Sequence, residues 1–159
     1  MSTLIPNQNC FIGFSIVVPT NLAAPSAAQL AAATDLTDFV ISLTASAQGN
    51  AVPTPRLRRL FETTIPGTSS ASFSVEMYRD NVSDVAWDLL PRDTAGVFYI
   101  SRFGGLGANK RPILADKVEV WEVRVVSRAG SAMSSNTAQT FTLTCSVPNE
   151  PAEAAVVAA

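Results

Sequence analysis

Few residues in this chain could do chemistry, and histidine is missing altogether. Without an imidazole there is no His-dependent triad or dyad, no imidazole metal site and no ordinary titration switch near neutrality. Glu76 and Asp80 could be offered as paired carboxylates, but nothing marks a cleft around them, and they read as solvent-facing residues of a strand. Asp84, Asp88 and Asp93 carry charge enough for a cation. They lack the alternating loop ligands and terminal Glu of a calcium loop and read as a helix surface. The run from Gly104 to Lys110, with Gly105 and Gly107 inside it, has a phosphate loop's flavour without its spacing, its Ser or Thr after the Lys, or a helix behind it, so it is a glycine turn. Serine catalysis without His would need a Lys, and Lys110 and Lys117 stand in no Ser-x-x-Lys context. Cys10 and Cys145, each in an apolar run, read as two buried free thiols in neighbouring terminal strands rather than as a disulfide, and two Cys without His make no zinc site. No catalytic residue, metal or cofactor is assigned, and the chain is expected not to be an enzyme.

One cluster points elsewhere. Arg56, Arg58 and Arg59 are interleaved with Leu57, Leu60 and Phe61 and followed by Glu62. A net charge of -2 and a pI near 5.0 exclude a protein that holds nucleic acid through a basic stripe, so this cluster is expected to touch protein. It sits in a stretch from Ala47 to Gly67 with Pro53, Pro55 and Pro66, which reads as a long connection. Connections of that length inside one domain are uncommon and usually functional. Its large apolar residues need a partner, in their own core or on another subunit.

The elements that would hold these residues are mostly strands. Phe11 to Val18 is short, rich in β-formers and closed by Pro19. From Pro25 to Thr34, Ser26 and Gln29 have capping-box spacing over an Ala run, which fits a short helix or a mobile connector. Thr37 to Ser46 alternates, with Phe39, Ile41, Leu43 and Ala45 on one face. Ala71 to Tyr78 places Phe73, Val75 and Met77 inward, and Thr137 to Val147 does the same with Phe141, Leu143, Cys145 and Val147. The opposite face of that last strand is a Thr ladder of Thr140, Thr142 and Thr144, suited to pairing or solvent. Val82 to Leu90 switches to helical spacing, with Asn81 as N-cap and Pro91 as stop. Ala95 to Phe103 is apolar on both faces and is expected to be central and covered twice. Lys117 to Arg128 changes face between Val120 and Trp121, as a β-bulge would make it do.

The expectation is a mainly β protein, a β-sandwich or open barrel of about six strands with one flanking α-helix. A single domain over 10–147 would carry the long loop 47–67, with an N-terminal arm (1–9) and a flexible C-terminal arm (148–159). The chain has 159 residues, ample for one core. No stretch is long and apolar enough for a membrane helix, and no basic residue precedes the apolar run at Cys10–Val18, so no secretory signal is expected. Charged residues are only 15% of the chain, while Ser and Thr supply 30 residues. Such a weakly polar surface suits a self-associating subunit better than a lone monomer. A binding or decoration module that stays a discrete oligomer is the alternative.

Two stretches together resemble the major tail, or tail-tube, proteins of phages with long non-contractile tails, in particular those infecting actinobacteria. One is Pro25 to Thr37, where a short Ala/Gln/Leu segment leads through Thr34-Asp35-Leu36-Thr37 into a strand. The other runs from Pro66 to Gly104: Pro66-Gly67-Thr68, Ser72-Phe73 to Glu76, Tyr78-Arg79-Asp80, Ala86-Trp87-Asp88-Leu89-Leu90-Pro91-Arg92, then Ser101-Arg102-Phe103-Gly104. The resemblance implies a virion protein, assembled in the bacterial cytoplasm, whose hexameric rings stack into a tube that conducts DNA at ejection. It implies partnership with itself and with tape-measure and tail-terminator proteins, only transient contact with DNA, and none with membrane. Within that picture Arg56, Leu57, Arg58, Arg59, Leu60 and Phe61 are the expected inter-ring contact, and Thr140, Thr142 and Thr144 the expected lumen face.

Overall fold

The computed structural model describes residues 9–55 and 63–159. It is mainly β, in one eight-stranded antiparallel sheet. The strands are β1 (Phe11–Ser15), β2 (Thr34–Asp35), β3 (Val40–Thr54), β4 (Thr63–Tyr78), β5 (Ala95–Ser101), β6 (Lys117–Gly130), β7 (Thr140–Ser146) and β8 (Ala152–Val156). Two short helices, α1 (Ala27–Ala32) and α2 (Val85–Leu89), flank them. The sheet order is β2-β1-β5-β6-β7-β4-β3, and β8 pairs with β6 beside β7.

The sheet curls. Three strand spacings separate β4 from β5, about 14 Å on a flat sheet. Yet the Phe73 and Phe98 rings meet at 4.8 Å, Phe14 meets Phe98 at 4.9 Å, and Phe73 reaches Trp121 at 5.9 Å. These rings fill the inside of the curl with Val75, Met77, Val123, Phe141 and Leu143. A second, smaller core lies on the other face of β5 and β6, where Phe11, Leu30, Val97, Tyr99, Val118, Val120, Ala155 and Val157 pack together. β5 is therefore covered twice, as its composition predicts: Phe98 and Ile100 enter one core, Val97 and Tyr99 the other. The same division explains β6. Val118 and Val120 belong to the second core and Trp121, Val123 and Val125 to the first. No bulge between Val120 and Trp121 is needed, because pairing with β5 runs through that point without a shift. The register shifts of β6 lie elsewhere, against β7 at Val125/Ser127 and against β8 at Val118/Val120.

Other expectations are corrected. The stretch 47–67 is largely strand. β3 and β4 remain paired from Ala47↔Ala71 to Thr54↔Thr63, with a shift between Gly49 and Ala51. Pro53 and Pro66 are tolerated because each strand of this ribbon has one edge without a neighbour, where a missing N–H costs no ladder bond. The C-terminal segment is docked: Ala155 and Val157 are buried, Lys117 pairs with Val156, and Ser26 bridges to Ala158. β7 and β8 lie along the same edge of β6, interrupted around Pro148 and Pro151, and Asn149 Nδ2 spans the gap to Glu122 Oε2 at 2.6 Å. α2 begins three residues late. Asp80 Oδ1 accepts the Val82 N–H at 2.8 Å, which makes a side-chain turn where a first helical turn was expected. Asp84, not Asn81, stands at the N-cap. β1 stops at Ser15, and Ile16 and Val17 are exposed. Residues 37–39 form a 3-10 turn, so β3 opens only at Val40. Both thiols are free, but only Cys145 is buried, while Cys10 is half-buried; Cys10 precedes β1 and Cys145 lies in β7, and β5 and β6 separate those strands. Between the two readings of Pro25 to Thr34, the helix holds: Ser26 Oγ accepts the Gln29 N–H at 3.2 Å and Gln29 Oε1 accepts the Ser26 N–H at 2.9 Å.

Candidate assembly surfaces

The Thr ladder is part of a wider face. β7 alternates strictly, with Phe141, Leu143 and Cys145 buried and Thr142, Thr144 and Ser146 exposed, while Thr140 is half-buried. Across the sheet, Thr142 stands opposite Glu76, which stands opposite Ser42. Thr144 stands opposite Ser74, which stands opposite Thr44. One row further, Ser46 and Ser72 share a 2.9 Å hydroxyl–hydroxyl bond. On β6, Ser127 extends the Thr144 row. The result is a hydroxyl surface over four strands. Glu76 is the one charge in the Thr142 and Thr144 rows, and its carboxylate accepts from Thr140 Oγ1 at 3.4 Å and, at 3.5 Å, from Ser42 Oγ; Arg124 stands opposite Ser146 at the end of the face, paired with Asp93. Each hydroxyl offers one donor and two acceptor positions and no charge, so the face can hydrogen-bond water.

This face is bounded by an unpaired edge. β3 ends the sheet and carries no further strand on its outer side among the described residues. Past Phe73↔Cys145, where β7 stops pairing, β3 and β4 continue alone as a two-stranded arm. From Phe73 to Thr63 it extends roughly 30 Å at about 3.3 Å per residue. The described arm residues are almost all exposed, and Val52 and Ile65 pair across it as its apolar pair. A free edge and a ribbon without a core are liabilities in an isolated subunit and are resolved by pairing with another chain. The expected contact residues Arg56, Leu57, Arg58, Arg59, Leu60 and Phe61 lie outside the described residues, between the two strands of this arm.

Arginines pin the remaining elements. Arg79 and Arg128 stand over the Trp87 ring, with guanidinium carbons 4.0 and 3.6 Å from its centroid. Arg128 Nη1 also donates to the Trp87 carbonyl at 2.6 Å, near the end of α2, while Arg79 pairs with Asp84 at 2.6 Å. Trp87 meets Phe141 edge-on at 5.1 Å. Arg111 donates to the carbonyls of Leu30, Ala31 and Ala33 and closes the end of α1. Arg102 pairs with Glu119, which raises its pKa further, and Arg124 pairs with Asp93 at 2.8 Å. Burial pushes the Cys145 thiol and the Tyr99 hydroxyl each up to about 12. Both groups stay protonated at neutral pH and offer no nucleophile. Asp84 and Asp93 face different arginines, and no group of three metal-ligating side chains comes together among the described residues. The Gly104 turn is structural. Its φ is 71°, and a Cβ there would come within 2.4 Å of the Asn9 carbonyl oxygen. Among the described residues, no helix is long and apolar enough to cross a membrane.

The alternation of β7 made its Thr face readable. The arm and the width of the hydroxyl surface were not, because they depend on which strands pair.

Similarity to known proteins agrees with this architecture. Among curated proteins no relative matches the chain. Among solved structures, the virion of a native gene transfer agent particle contains a chain of the same fold, with 13% identity and a TM-score of 0.55 over 92% of this chain and 96% of that one. The tail of an empty gene transfer agent particle, solved by helical refinement with C6 symmetry, gives 11% identity and 0.55 over 97% and 100%. The sixfold-symmetrised baseplate of the anti-feeding prophage gives 11% and 0.55 over 95% of each chain. The family model described as phage tail tube protein matches residues 12–159. The chain belongs to the phage tail tube protein family and is a structural protein of the virion tail.

Proposed function

We propose that the protein assembles into hexameric rings that stack into the tail tube, and that the hydroxyl face of β3, β4, β6 and β7 lines the lumen through which DNA leaves. The observation that carries this reading is the coincidence of a charge-poor hydroxyl surface with an open sheet edge at β3. Joining that edge to the next subunit removes it and continues the surface round a closed barrel. Thr140, Thr142 and Thr144 then face the lumen. With Glu76 the one charge in the Thr142 and Thr144 rows, Arg124 at the end of the face paired with Asp93, and a net charge of -2 per subunit, the wall attracts phosphates little and lets DNA slide. Sixfold symmetry is stated for the similar tail and baseplate structures and supports a ring of six here. The arm, together with Arg56, Leu57, Arg58, Arg59, Leu60 and Phe61, which lie between β3 and β4 in the sequence, contacts the next ring.

The protein performs no catalysis and takes no cofactor in this role. It is made and assembled in the host cytoplasm, and a length-setting tape-measure protein and a tail terminator are its expected partners. Negative-stain electron microscopy of the purified protein over a range of concentrations tests the reading. Tubes with a regular axial repeat are expected. Discrete particles at every concentration would favour a binding or decoration module instead.

A further inference from the structure

The two ends of the strands are finished differently, and each is apolar at its tip. At the end toward which the arm extends, β5 closes and β6 opens, and residues 102–116 join them. This loop has a fixed shape. Asp116 Oδ2 accepts the N–H of Leu106 and of Ile113, both at 2.9 Å, and the Gly107 N–H donates to the Arg111 carbonyl at 3.0 Å. Asn109, Lys110 and Ala115 hold φ values of 53, 58 and 70°, in the left-handed region that costs residues bearing a side chain. The shape so maintained presents Phe103, Leu106 and Leu114 to solvent at 69, 84 and 58% exposure.

At the opposite end, beside α2, the segments 79–84 and 131–139 lie together, with the Arg79 N–H donating to the Gln139 carbonyl at 2.9 Å. Val82 and Met133 are each 88% exposed there. The balance of charge differs. Lys110 and Lys117 are exposed at the arm end, and Asp38, Asp80 and Asp88, together with Arg92, at the helix end. None of these six joins an ion pair among the described residues.

We propose that the arm-end surface of Phe103, Leu106, Leu114 and Lys110 docks onto the helix-end surface of Val82, Met133 and Asp80 of a second copy of this chain. Two arm ends meeting would bring two surfaces carrying unpaired lysines together, and two helix ends two surfaces richer in aspartate. Head-to-tail contact matches charge as well as apolar area, and such contact is open-ended. The strained loop gains its reason in the assembly, where its apolar side chains leave water. The docking rests on the tube reading and gives stacking a seat within the described residues, separate from 56–61.

The test uses Leu106→Asp and Met133→Asp, both at exposed positions, with unchanged urea midpoints as the check on folding. Sedimentation and electron microscopy follow assembly of the full chain. Each variant alone is expected to stop at a single layer. A one-to-one mixture is expected to form particles of twice that mass, because one sound face of each kind remains. Wild-type tubes together with normal tubes from both variants, or with a mixture whose mass does not double, overturn the docking and leave the tube reading standing. Wild-type protein that forms no tubes overturns both.

Discussion

Trp87 shows how single residues hold this subunit together. Its ring lies against two guanidinium groups and the edge of Phe141, and its carbonyl takes a hydrogen bond from one of those arginines. Trp87→Ala removes the ring from all three neighbours and is expected to cost about 3 kcal/mol in urea unfolding. Trp87→Phe, which keeps the contact with Phe141, should recover a good part of it. The helical spacing of α2 was visible in the sequence, but the partners of Trp87 were not, because Arg79 and Arg128 reach it from other elements. The inward direction of Cys145 was legible from the alternation of its strand, and its burial has a pH consequence. Cys145 and Tyr99 rise to about 12 from ordinary values of 9.0 and 10.0. The folded state thus holds protons that the unfolded chain releases as pH passes 9 and 10. The stability linked to them is fully present below pH 9 and is lost as pH rises toward 12. The urea midpoint is expected to fall across that window, and to fall less in Cys145→Ala when each protein is referred to its own value at pH 8.

Among the elements, β8 and the arm departed most from what the sequence suggested, for different physical reasons. β8 is Ala-rich and follows two prolines, so it has neither β-propensity nor a long alternation to announce it. It is a strand because the edge of β6 beyond β7 needs a partner, and because Ala155 and Val157 complete the second core. Val157→Asp places a carboxylate in that core and is expected to destabilise the subunit by about 3 kcal/mol or more, measured by urea unfolding. Hydrogen exchange should quicken at Val118 and Val120 before it quickens at Phe141 and Leu143. The arm was hidden because a ribbon exposed on both faces has no cause to alternate, and its prolines read as loop. By contrast β4 from Phe73 to Tyr78, β5 and β7 were legible, because each buries a face or two and the burial writes its period into the sequence.

At the scale of the whole molecule, the low charge, the Thr- and Ser-rich strands and the unpaired edge describe a part rather than a finished object. The family assignment over residues 12–159 accords with that. Leu60→Asp and Phe61→Asp are expected to stop tube growth while leaving the urea midpoint of the subunit unchanged. Electron microscopy and unfolding on the same preparations check both halves of that expectation, and normal tubes from either variant would remove Leu60 and Phe61 from the contact. The central claim is that the hydroxyl face of the sheet becomes the wall of a conduit. Helical reconstruction of tubes grown from the purified protein addresses it most directly, by locating Thr142 and Thr144. The expected result places both on the inner wall, with β3 paired to the neighbouring subunit. A tube that carries them on its outer surface, or that leaves the β3 edge unpaired, would contradict the claim.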